Sequence, residues 1–114
     1  MAKIPTEVYE RAGRMAIKDA GGKRNLADYV VHYMEPRIDF ATACEKYVQS
    51  NVLVYTSDRE MWLKKNGISY RMDADKKFNQ IVGKAVNYIV IHYMREHKME
   101  IVKSGYGYKL VKRD

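Results

Sequence analysis

The chain has 114 residues, 46% of them hydrophobic and 31% charged, which is enough apolar content to collapse one compact domain and too little length for a second core of ordinary size. Two prolines, seven glycines and no low-complexity tract exclude collagen-like and largely disordered classes, while the single cysteine, Cys44, excludes an internal disulfide and a cysteine-built zinc finger. With 21 Lys and Arg against 14 Asp and Glu the formal net charge is +7, which favours a polyanionic partner through long-range attraction and counterion release.

In chain order, Thr6 to Asp19 reads as a first helix: Val8, Ala12, Met15 and Ala16 recur at helical spacing, Glu7 and Glu10 sit near the positive end, and Gly21-Gly22 stops it. Asn25 is expected to cap a second helix by accepting from the Asp28 amide, with Leu26, Tyr29, Val30 and Tyr33 inward and Pro36 enforcing an end near Met34. Asp39 is expected to cap a third helix through Ser50, burying Phe40, Ala43, Cys44, Tyr47 and Val48. The β-branched run Val52-Leu53-Val54-Tyr55 reads as a brief strand. Ser57-Asp58-Arg59-Glu60 has the spacing of a capping box, starting a helix that Gly67 ends.

The loop Ile68 to Met72 leads to Asp73, a cap for a long helix from Ala74 to His97. At 100° per residue Phe78, Ile81, Val82, Ala85, Ile89 and His92 share one face, and Lys76, Gln80, Lys84 and Asn87 share the opposite one. From Tyr88 to Met94 the helix is apolar nearly all round, so enclosure by the N-terminal helices or by a second subunit is expected there. Gly83, mid-helix at a cost of about 1 kcal/mol against alanine, marks a kink or a close approach by another backbone. Met99–Lys103 and Tyr106–Lys112 are β-prone runs joined by Ser104-Gly105, a terminal hairpin. The fold class that follows is α+β and mostly helical: one domain over 1–114, with a helical part over 1–50 and a second part over 51–114.

That second part, in the order strand, short helix, glycine turn, long helix, hairpin, resembles a winged helix-turn-helix domain. Gly67-Ile68-Ser69 is similar to the turn of that motif, and Ile101-Val102-Lys103-Ser104-Gly105-Tyr106-Gly107-Tyr108-Lys109-Leu110 is similar to the wing of response-regulator output domains and small phage winged-helix proteins. The resemblance implies a recognition helix over 74–97 entering the major groove and a wing over 99–112 reaching phosphate or the minor groove.

Lys76, Lys77, Gln80, Lys84 and Asn87, with Arg71 just ahead of the helix, are the candidate contacts there: lysine clamps phosphate, and glutamine and asparagine pair two-pronged with adenine. The bland alternative is a solvated helix face, and Asp73 and Asp75 would repel phosphate unless they serve as caps. In the hairpin the candidates are Lys103, Ser104, Tyr106 and Lys109, within a segment, residues 95–114, that holds six positive and three negative side chains. Alternate tyrosines on a hairpin also pack on their own domain, and ten tyrosines in so short a chain suit a protein interface as well as DNA.

No enzyme, metal site or cofactor is expected. His92 and His97 are five apart, roughly 140° round a helix, and do not share a metal as i,i+4 ligands do. Cys44 lies on an inward stripe, Glu96-His97-Lys98 lacks the strand and preceding aspartate of a nuclease, and Gly21-Gly22 lacks the strand that precedes a phosphate-cradling loop. No apolar run reaches the roughly 18–20 residues of a membrane helix and the N-terminus has no signal-peptide core, so a cytoplasmic protein without a membrane partner is expected. Two functions stand open. One is a regulator of transcription or replication, of phage or mobile-element type, binding double-stranded DNA as a homodimer. The other is a protein-binding module or inhibitor, of viral anti-host or anti-CRISPR type, whose basic face engages an acidic protein surface.

Overall fold

The computed structural model describes residues 3–71 and 73–113; Met72, at the end of the expected loop, and Asp114 lie outside them. Helices α1 (Thr6–Ala20), α2 (Lys23–Val31), α3 (Phe40–Asn51), α4 (Thr56–Lys65) and α5 (Ala74–Glu96) precede strands β1 (Met99–Ser104) and β2 (Gly107–Lys112), an α+β architecture that is mostly helical. The 23-residue α5, about 34 Å long, is its axis and packs against each of the other four helices, most extensively α3. Phe78, Ile81, Val82, Ala85, Val86 and Val90 of α5 meet Val8, Ala12 and Ala16 of α1, Leu26 and Val30 of α2, Ala43, Cys44 and Val48 of α3, and Leu63 of α4 in one core.

Gly83 is where α3 closes on α5: a Cβ there would meet the Glu45 Cγ at 2.8 Å and the Glu45 Cα at 3.3 Å. The expected close backbone approach is therefore the reason for the glycine. Tyr9 lies beside Lys84 and Gly13 beside Ile89, so α1 runs alongside α5 in the same direction.

Local signals decide most boundaries. Asp39 accepts from the Thr42 amide at 2.8 Å and Asp73 from the Lys76 amide at 3.1 Å, so both aspartates cap as expected. Gly21 (φ 85°) and Gly67 (φ 69°) take the left-handed conformation that ends α1 and α4. At Gly67 the reverse bonds run from Ile68 N to Leu63 O at 2.9 Å and from Gly67 N to Lys64 O at 3.1 Å.

Four expectations are corrected. Asn25 does not cap: α2 starts three residues earlier than a cap at Asn25 allows, with Gly22 at its N-cap, and the Asn25 side chain donates back to the Gly21 carbonyl; the helix also ends at Val31, short of Met34. Residues 52–55 form no strand, because Leu53 is left-handed (φ 43°) and the carbonyls of Val52 and Leu53 are taken by the side chain of Arg59. Ser57 and Glu60 form no capping box, since α4 already begins at Thr56 with Tyr55 at its N-cap. The hairpin turn is Gly105-Tyr106 rather than Ser104-Gly105, with Ser104 paired to Gly107 and a positive φ at Gly105 alone.

The hairpin leaves the C-terminal end of α5 and lays Met99 and Leu110, both buried, against the core, with β2 on α2. The apolar stretch from Tyr88 to Met94 is enclosed on one side only: Val90 is buried, whereas Tyr88 is 66% exposed and its ring meets that of the exposed His92 at 4.1 Å. His92 therefore leaves the inward face assigned to it.

Candidate nucleic-acid interface

Because α5 spends most of its circumference on the four helices around it, its solvent face is a strip that follows the i, i+4 row Lys76, Gln80, Lys84, Tyr88 and His92. Lys76, Gln80 and Lys84 are exposed there and Lys77 is half-exposed, with Tyr88 and Arg95 exposed further along. Asn87 stays half-buried, and its Oδ1 is enclosed without a hydrogen-bond partner, so its amide is not offered to solvent as the other polar groups are.

At the head of α5 this face opens into a cleft of about 590 Å³. Its walls are Lys3, Ile4 and Pro5 ahead of α1, the segment from Gly67 to Arg71 after α4, and Asp73, Lys76, Lys77 and Gln80. Three chain segments thus bring four cations together, and four of the ten sequence-derived candidates, Arg71, Lys76, Lys77 and Gln80, line a single concavity. Lys84 extends the face by a turn, its Nζ 5.2 Å from the Tyr9 ring centre in a cation–π contact.

Of the two carboxylates that would oppose an anion, Asp73 stays in the cleft wall as a helix cap and Asp75 is turned away. Asp73 caps α5 through its Oδ1. Asp75 is turned toward α4, with Oδ2 accepting from the Thr56 hydroxyl at 3.1 Å and Oδ1 standing 3.3 Å from Arg59 Nη1, an ion-pair contact without hydrogen-bond alignment. Arg59 is itself 3% exposed and donates to the carbonyls of Gln49 at 2.6 Å and Leu53 at 2.5 Å, with Phe78 under its guanidinium at 5.5 Å. It closes the end of α3 and contacts no solvent partner.

The remaining candidates stand apart. Lys103, Ser104, Tyr106 and Lys109 belong to the hairpin, beyond the opposite end of α5, and none lines the cleft. Lys103 pairs with Tyr108 and Lys109 with Val102, so strand alternation sends the two lysines to opposite faces of the hairpin. Tyr106 occupies the turn and is fully exposed, whereas the Tyr108 ring packs on the core. Sequence reasoning missed Lys3 and Tyr70 as cleft residues, because only the tertiary fold joins residue 3 to residues 67–80. Among the described residues no three His, Cys, Asp or Glu side chains gather into a metal-binding group, and no helix is long and apolar enough to cross a membrane. Compared with known proteins, the chain matches no family model, no curated protein and no solved structure.

Proposed function

We propose that this chain is a small double-stranded-DNA-binding protein, acting without chemistry as a regulator of transcription or replication by occupying its site. The observation that carries the reading is the convergence of Lys3, Arg71, Lys76 and Lys77 on one concavity that holds a single carboxylate, the helix-capping Asp73, while Asp75 is drawn off to Arg59 and Thr56. Free lysines facing a duplex release counterions from its phosphates, and four cations against the one carboxylate of Asp73 leave the cleft a net attraction for an anion. The order α4, glycine turn, α5, hairpin accords with a winged helix-turn-helix plan. On that plan the cleft and the hairpin are separated by the length of α5, and a duplex meeting both presents phosphates about one helical turn apart.

Fluorescence anisotropy against salt tests this. Binding to mixed-sequence duplex is expected to fall steeply with rising salt, and Lys76→Ala and Lys77→Ala are each expected to lower the slope of log K against log salt by about one. A slope that is flat, or unchanged in both variants, overturns the reading.

A second reading, a module that binds an acidic protein surface, is favoured by one feature: Tyr29, Tyr55, Tyr88 and Tyr106 are exposed on different elements, with Val54 and Met61 also exposed near Tyr55. Absence of DNA binding by the folded protein would leave that reading standing.

A further inference from the structure

The cleft at the head of α5 has more in its walls than phosphate clamping requires. Among its cations lie Ile4, Pro5, Ile68 and Tyr70, and Ile4, Ile68 and Tyr70 each pack one side against the core while contributing to the cleft wall. A B-form duplex keeps the faces of its bases stacked inside the helix, which leaves an aromatic wall in a concavity without a ring to pack on. The volume, about 590 Å³, lies within the range of sites that enclose a small ligand, roughly 300–1,000 Å³. Ser69 and Gln80 add a hydroxyl and an amide, which together offer donors and acceptors to a base edge. Among the described residues the side chains of Lys3, Ser69, Arg71, Lys76, Lys77 and Gln80 make no hydrogen bond or ion pair.

Cations beside a flat apolar wall with a few free polar groups match a ligand that is itself half anion and half flat ring. We propose that the cleft takes one unpaired nucleotide, with its phosphate among Lys3, Arg71, Lys76 and Lys77 and its base against Tyr70, so that the protein prefers a duplex with a single-stranded end. This inference rests on the reading of the protein as a DNA binder. It goes beyond that reading by assigning the end of the duplex, not its interior, to the cleft.

The test uses the full chain and three probes: a blunt duplex of about two helical turns, the same duplex with a short 5′-phosphorylated overhang, and a free deoxynucleoside monophosphate. The overhang is expected to bind about tenfold more tightly than the blunt duplex, the lower part of the range for stacking a base on an aromatic ring. That ratio is expected to fall to near one in Tyr70→Ala and to persist in Tyr70→Phe. Ser69→Glu, at an exposed position on the cleft wall, sets a carboxylate beside the phosphate position without cutting into the core and is expected to abolish the ratio even if Tyr70→Ala fails to fold. Equal affinity for the two duplexes overturns the inference and leaves the DNA reading intact, whereas binding of neither duplex overturns that reading. Saturable binding of the free monophosphate that neither duplex displaces overturns the assignment to a DNA end.

Discussion

Replacing Arg59 by methionine separates the contributions that hold the middle of the chain together. The side chain donates to Gln49 O, Leu53 O and, at 3.4 Å, Val52 O, and faces Asp75. Methionine fills the volume of the stem but lacks the guanidinium that lies over the Phe78 ring, so the loss is of polar contacts and one cation–π contact. A carbonyl left without its donor costs about 1–3 kcal/mol when buried; those of Gln49 and Leu53 are part-buried and sit at the lower end, so the two short bonds give roughly 2–4 kcal/mol and the buried Val52 carbonyl adds to that. Removing one partner of a buried ion pair costs about 3–5 kcal/mol when both charges are buried. Here the Asp75 Oδ1 that faces Arg59 is enclosed, but the side chain as a whole is 36% exposed and lacks an aligned hydrogen bond to the guanidinium, so the pair adds less than a fully buried one. The carbonyl bonds win, and Arg59→Met is expected to destabilise by about 3–5 kcal/mol, whereas Asp75→Asn is expected to cost under about 1 kcal/mol. Urea unfolding followed by circular dichroism measures both, and a loss of 3 kcal/mol lowers the melting temperature of a domain this size by roughly 10–20 °C. The reasoning fails if Arg59→Met costs less than about 1 kcal/mol or if Asp75→Asn costs as much as Arg59→Met.

Three other outcomes follow from single sites. Gly83→Val is expected to destabilise by about 2–3 kcal/mol in the same unfolding experiment, because the Glu45 backbone leaves no room, while Gly13→Ala is expected to be near neutral, since its added methyl meets only the flexible tip of Ile89. The Asp39 carboxyl is held below the usual carboxylate range by hydrogen bonds from the Thr42 hydroxyl and backbone amide; its contribution is therefore complete above the ordinary value and lost as pH falls through the lowered one. The melting-temperature gap between wild type and Asp39→Ala is accordingly expected at neutral pH and absent in strong acid. Burial pushes the Cys44 thiol and the Tyr47 phenol each up to about 12, so both favour the native state below their ordinary values and cease to as pH rises toward 12. Cys44 is thus expected to resist a thiol reagent at pH 8 until urea is added, and stability is expected to fall between roughly pH 9 and 12.

What was legible in the residues is what short-range chemistry decides. Asp39 and Asp73 need only a free amide three residues on, Gly67 needs only its own φ, and the tight turn that closes the hairpin needs only Gly105. Gly83 announced a neighbour without saying which. The failures share a cause: each local signal was overridden by a neighbour a few residues outside the window in which it was read. Val52 to Tyr55 has strand composition, but β1 and β2 pair only with each other and Arg59 binds the carbonyls of Val52 and Leu53 from the following helix. Arg59 itself sat inside a plausible capping box, where nothing local distinguishes a surface arginine from a buried one. The candidate site divided the same way, since periodicity found Lys76, Lys77 and Gln80 on one helix while Lys3 and Tyr70 join them only through packing.

Core and surface are coupled at the head of α5. Asp75 directly precedes Lys76, and a carboxylate left free at that position would lie beside the cations of the cleft. Thr56 and Arg59 draw it toward α4, and Arg59 is fixed in turn by the last carbonyls of α3. The arginine that terminates α3 therefore also removes a negative charge from the neighbourhood of Lys3, Arg71, Lys76 and Lys77. Because an anion's attraction to that cluster depends on the sum of nearby charges, loosening Arg59 would weaken anion binding before the fold is lost. A basic face on a chain with 14 acids is set less by how many lysines it holds than by where the core sends the acids between them.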